Sequence, residues 1–178
     1  MKQVFILFLL SATVCFSGCK KKITQFYVDY NSSVVISSTV GSFVPFSLNT
    51  PEVETNSSFV FENNDTDADR VKSVYLKNLD LTITSPNSET FSFLNSIELF
   101  IKSPSYDEKR IAFETSIPNS AGNKISLKLD NIDLKEFIKE SKFELRVRIV
   151  TDETIPQDVY VNIYSNFLVQ AQLIRSKS

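Results

Sequence analysis

Apolar and polar residues alternate along most of this chain. In KFELRVRIV, Phe143, Leu145, Val147 and Ile149 fall on one side, and Lys142, Glu144, Arg146 and Arg148 on the other. A period of two marks a strand with one buried face, because successive side chains leave opposite faces of a sheet. The same alternation runs through Ile125, Leu127 and Leu129 of KISLKLD and through Leu79, Leu81 and Ile83 of LDLTIT. It runs also through Ile97, Leu99 and Ile101 of SIELFIK, where Phe100 interrupts the polar side. TQFYVDY, SVVISST and FVPFSL read as further strands. Pro45 has no N–H for a ladder, so FVPFSL belongs at an edge or a bulge. The final stretch, DVYVNIYSNFLVQAQLI, keeps alternate residues from Val159 to Leu173 on one side. A straight strand of that length is well beyond the usual extent. The spacing therefore predicts a bend or bulge near Ser165 and Asn166.

One segment has helix chemistry. In NIDLKEFIKES, Asp133 precedes Glu136 by the capping-box spacing, Ile132 can staple to Phe137, and Leu134, Phe137 and Ile138 form an apolar stripe. A weaker helical turn is expected over residues 67–73. Roughly eight to ten short strands between Ser-, Asn- and Pro-bearing loops predict an all-β fold. The expected architecture is a two-sheet, immunoglobulin-like β-sandwich with one short helix. The chain has 15 Phe and no Trp, so phenylalanine is expected to fill the core.

The N-terminus departs from this pattern. After Lys2 and Gln3 comes a mainly apolar run, Val4–Val14, then Phe16-Ser17-Gly18-Cys19 and three lysines. The apolar run is shorter than the about 20 residues that a spanning helix needs. It has the layout of a secretory signal peptide. The FSGC tail resembles the lipobox of bacterial lipoproteins, with Phe16 where that family usually has Leu or Val. The resemblance implies acylation of Cys19, which becomes the first residue of the mature chain. An ordinary signal peptide cut after Ser17 is the other reading, and it leaves Cys19 unexplained. On the lipoprotein reading, residues 1–18 are a signal peptide, 19–23 an anchor and short linker, and 24–178 a single sandwich domain. Lys20, Lys21 and Lys22 then lie against headgroups, where each cation near an anionic surface contributes about 1 kcal/mol. The protein is expected in the bacterial cell envelope, at the outer membrane, held by lipid on Cys19.

Composition removes most familiar chemistry. The chain has no His and 3 Gly, so imidazole ligands, a histidine base and phosphate-cradling glycine loops are excluded. Cys15 leaves with the leader and Cys19 is committed to lipid, so the domain carries no thiol. Lys2 also leaves, so 19 basic side chains become 18 against 21 acidic ones, a formal net charge of −3. Nucleic acid, which calls for a clustered basic excess, is not an expected partner. No cofactor is expected, and no enzyme activity.

Three clusters remain as candidate sites. Asp65, Asp67 and Asp69 alternate in ENNDTDADR, and three carboxylates from one loop could serve a hard cation such as calcium. An EF-hand starting at Asp65 fails, because Arg70 and Leu76 stand where Gly and Glu are required. The plainer expectation is a solvated turn in which Asp caps the next helical turn. Tyr160, Asn162 and Tyr164 line the polar side of the last strand and could stack on and hydrogen-bond a sugar or peptide. The plainer expectation is an exposed or half-covered sheet face, where Tyr and Asn are ordinary residents, and the lack of Trp weakens the glycan reading. Lys142, Arg146 and Arg148 form a basic row that cross-strand acids such as Glu98 or Asp130 could neutralise. The leading expectation is a non-catalytic structural or partner-binding lipoprotein that contacts another envelope component, a protein or a glycan. A glycan- or calcium-assisted binding module is the alternative, and a hydrolase working without histidine comes third.

Overall fold

The computed structural model describes residues 22–174; the expected leader and Cys19 lie outside the described residues. Strands dominate, as the alternating pattern requires. They are β1 (Ile23–Ile36), β2 (Phe46–Asn49), β3 (Val53–Glu54), β4 (Val71–Ser85), β5 (Leu94–Ser103), β6 (Tyr106–Glu114), β7 (Lys124–Ser126), β8 (Lys128–Leu129), β9 (Lys142–Thr151) and β10 (Val159–Gln172). Two antiparallel sheets pack against each other. One has four strands in the order β1-β10-β4-β7; the other runs β2-β9-β5-β6-β8, with β3 also pairing with β9. The fold is the expected all-β sandwich. Its first and last strands lie side by side, in register from Ile23 opposite Gln172 to Ile36 opposite Val159.

β10 itself is continuous against β1, and the irregularity expected near Ser165 and Asn166 is carried by its other neighbour. Register steps against β4 fall between Tyr160 and Val161, Asn166 and Phe167, and Gln170 and Ala171. At each step the unpaired extra residue belongs to β4: Thr84, Lys77 and Lys72, all exposed. A bulge pushes one residue out of the alternation. The buried apolar residues of β4 therefore fall at Val71, Val74, Leu76, Leu79, Leu81 and Ile83. This broken spacing hides the first half of the strand from a period-two reading. The helical turn expected over residues 67–73 is only a 3-10 turn, Ala68–Arg70.

Other expectations are corrected in the same way. TQFYVDY and SVVISST form one strand, β1, because Asn31 and Ser33 are outward positions and cost the pattern nothing. FVPFSL becomes strand only after Pro45; Phe43 sits in the left-handed region (φ 63°), exposed, with its N–H donating to Thr151 O at 2.7 Å. KISLKLD is split between the sheets. β7 pairs with β4 in one, β8 with β6 in the other, and buried Leu127 marks the crossing. There are two short helices, not one. The expected helix is α2 (Lys135–Lys139), and α1 (Ser57–Glu62) was hidden by its shortness. The Asp133 capping box does not form. Asp133 Oδ1 accepts from Lys135 N and, at 2.9 Å, from Val74 N, while Glu136 accepts from the Tyr106 hydroxyl. A strand amide in need of an acceptor has drawn the carboxylate onto β4.

The core joins the sheets through aromatic rings. Tyr30 of β1 meets Phe143 of β9 edge to face at 5.2 Å and Phe167 of β10 at 5.8 Å. Phe143, Leu145, Val147 and Ile149 are buried, as their alternation predicts. Not every phenylalanine serves the core. Phe100 and Phe113 lie under the guanidinium groups of Arg146 and Arg110, at 4.1 and 4.3 Å from the ring centroids. Such cation–π contacts are worth about 0.5–1 kcal/mol at exposed sites.

Candidate functional site

Each of the three sequence clusters has at least one member engaged within the fold. Asp67 caps its 3-10 turn, accepting from Arg70 N at 3.0 Å and pairing with Arg70 Nε at 2.8 Å. Asp65 N bonds to Glu62 O, and Asp65 O receives Ile174 N at 2.7 Å. The neighbouring Thr66 is buried, and its hydroxyl donates to Gln172 O. This loop fastens the end of β10; Asp67 caps the turn through its side chain, Asp65 acts through its backbone, and Asp69 stands in the first turn. Among the described residues, no three His, Cys, Asp or Glu side chains form a group that could hold a metal.

On the outer face of the four-stranded sheet, the tyrosine row is partly consumed. The Tyr164 hydroxyl donates to Asp29 Oδ1 at 2.8 Å, and Asn166 Nδ2 donates to the same oxygen. That bond to the Asp29 carboxylate raises the Tyr164 hydroxyl above its ordinary pKa. Asn162 reaches Asn31 at 3.4 Å, while Tyr160 remains 48% exposed beside Val35. The basic row is neutralised: Arg146 forks onto Glu108 with two contacts of 2.7 Å, Arg148 pairs with Glu98, and Lys142 with Glu52. Asp130, the other expected partner, is taken by Arg110.

A fourth feature escapes any reading of short motifs. A cleft of about 900 Å³ runs between the outer edge of β1, at Val28–Ser33, and the segment Pro51–Val60. Its floor is pinned where buried Tyr30 donates to Thr55 O at 3.1 Å. Burial pushes the Tyr30 hydroxyl well above its ordinary pKa, which keeps it a neutral donor. Its far wall is held on the six-stranded sheet: Val53 pairs with Phe143, Thr55 N donates to Ser141 O, and the Ser57 hydroxyl donates to Lys139 O. Asn56 adopts the left-handed conformation (φ 49°), which Asn tolerates better than most residues. That turn sends the chain into α1 and leaves Phe59, 68% exposed, at the rim.

The near wall has a defined hydrogen-bonding side. Leu173 N donates to Lys22 O, and the register continues unbroken into β1. In an antiparallel pair the bonded residues alternate, so even-numbered residues of β1 exchange bonds with β10. Asp29, Asn31 and Ser33 therefore direct their N–H and C=O groups away from β10, into the cleft. Among the described residues, β10 is the one strand paired with β1. The cleft is lined by Asp29, Glu52 and Glu54, with no Lys or Arg among its lining residues. Ser32, also lining it, has a buried hydroxyl oxygen without a hydrogen-bond partner. Comparison with protein-family models gives no match, and neither does comparison with curated proteins.

Proposed function

We propose that this chain is a bacterial envelope lipoprotein, anchored through acylated Cys19, whose domain binds a protein partner without catalysing a reaction. The anchoring half of the reading is supported by the short apolar run and the FSGC tail. The binding half is carried by one observation: the cleft beside β1 joins unused backbone groups to an exposed aromatic, Phe59. Exposed aromatics at a concave, partly polar surface are the usual anchors of protein contacts. The outer-face tyrosines favour a glycan less, because the Tyr164 hydroxyl is already engaged by Asp29.

Two measurements test it in the native envelope. Cys19→Ser should move the protein from the membrane to the soluble fraction, and mass spectrometry should find acyl chains on the parent's mature N-terminus. An unmodified N-terminus contradicts the anchor. A photo-crosslinking phenylalanine analogue at position 59 should give one discrete protein adduct, and the same analogue at Arg148 should give none. Equal or absent adducts contradict the binding reading.

A further inference from the structure

We infer that the cleft receives an extended, lysine- or arginine-bearing segment of a partner protein, added as a strand to the outer edge of β1. The inference rests on the partner-binding reading and names its chemistry.

Edge length is the first argument. The outermost strands elsewhere are short: β2 has 4 residues, β7 has 3 and β8 has 2, whereas β1 has 14. Proteins ordinarily blunt their edges with short strands, bulges, proline or lysine, because an open edge is a template for another strand. β1 has no proline, no bulge against β10 and a single charge, Asp29. Its one shield is the Pro51–Val60 wall, which stands off across the cleft.

Bonding geometry is the second. Val28–Ser33 extends for about 20 Å at the rise of a strand. Along it, Asp29, Asn31 and Ser33 offer donors and acceptors at the spacing of a ladder. An extended segment can satisfy these groups in turn, whereas a helix has already spent its own backbone groups internally. Alternate side chains of the added strand would face Val53 and Phe59 on one side and the open rim on the other.

Charge is the third. Glu52 is paired with Lys142 at 2.7 Å, but Asp29 is met by the neutral donors Tyr164 and Asn166. Glu54 has no ion pair among the described residues. Lys142, opposite Glu54 in the β3–β9 pairing, is among the described residues the one cation beside both glutamates, so the three carboxylates of the cleft outnumber it. A second copy meeting β1 edge to edge would oppose two such acidic sets, which disfavours self-pairing. A segment bearing Lys or Arg meets them with opposite charge.

The probe is a decapeptide in which Thr alternates with Val and Lys, mixed with the full chain in detergent micelles. Its Glu-for-Lys counterpart and a version N-methylated along one edge are measured beside it by fluorescence anisotropy. The Lys peptide should bind at least tenfold tighter than either, and should slow amide exchange at Asp29, Asn31 and Ser33. Asn31→Pro, which removes an outward N–H at a position where an edge strand tolerates proline, should abolish binding. Should that variant not fold, the N-methylated peptide makes the same test without altering the protein. Equal binding of the Lys and Glu peptides, or binding without slowed exchange at those amides, overturns the inference. So does a dimer that slows the same amides with no peptide present. A crosslink from position 59 that survives Asn31→Pro would leave partner binding standing and remove strand addition alone.

Discussion

The two edges of the four-stranded sheet are treated in opposite ways. On the β4 side the edge is covered at Val74 and from Leu79 to Ile83. Ile83 N donates to Asn123 O, β7 pairs with residues 80–82, and Leu127 N reaches Leu79 O. Lower down, Leu134 N donates to Val74 O at 2.8 Å and Asp133 accepts from Val74 N. Even Asp80, which burial alone would push up, is held below its ordinary pKa by Lys124, Ser126 and Asn78. On the β1 side, three outward residues in the cleft have no strand beside them. A sheet that covers one edge with a strand, backbone contacts and a carboxylate, and leaves the other open, has an asymmetry that packing alone does not require. The open edge is where binding capacity remains.

The contrast can be broken first at its common support. The Phe143 ring packs between the two sheets, against Tyr30 and Phe167, so Phe143→Ala should cost about 3–5 kcal/mol, read as a lowered denaturation midpoint at unchanged slope. A loss below about 1 kcal/mol would mean that the sheets are not joined as described.

The edges themselves are separated by a pair of substitutions. Asp133→Ala removes the acceptor for Val74 N and should cost about 1–3 kcal/mol, the penalty of a buried donor left unpaired. Asn31→Ala, on the open edge, should stay within about 0.5 kcal/mol of the parent. Equal costs would erase the distinction.

A smaller effect is expected on the outer face of the other sheet. Arg146→Ala loses the fork to Glu108 and the stack on Phe100, and should cost about 1 kcal/mol. The Arg146 hydrogen bond holds Glu108 below its ordinary pKa, and Lys128 does the same for Glu114. Each such carboxylate binds protons more readily when unfolded. Its stabilisation is therefore complete above the unfolded pKa, near 4.3, and is lost as pH falls through the lower folded value. Urea titrations from pH 6 downward should show stability declining, less steeply in Arg146→Ala. The smallest effect is expected at Asp65, Asp67 and Asp69. Millimolar calcium should leave the melting temperature almost unchanged, in the parent and in Asp67→Asn alike. A shift of several degrees lost in the mutant would assign the loop to cation binding.

What could be read from the sequence follows from range. Alternation is local, so β9, β5 and the buried side of β10 were legible, as was the sandwich they imply. β4 was half hidden because its exposed extra residues, Lys72 and Lys77, break the period. The charged and aromatic motifs are conspicuous in the sequence, and those residues largely find partners within the fold. The cleft left no such mark. It depends on Thr55 and Tyr30 meeting across 25 positions, and on which side of β1 its bonds point. The one local signal was a long strand with no proline and a single charge, and an absence of protection is easily passed over.

Amide hydrogen exchange along β1 in the free protein tests the open edge most directly. Val28, Tyr30 and Ser32 should exchange slowly, because their N–H groups bond to β10, while Asp29, Asn31 and Ser33 should exchange orders of magnitude faster. Uniform protection through residues 28–33 would show that something already covers this edge, and would contradict the account.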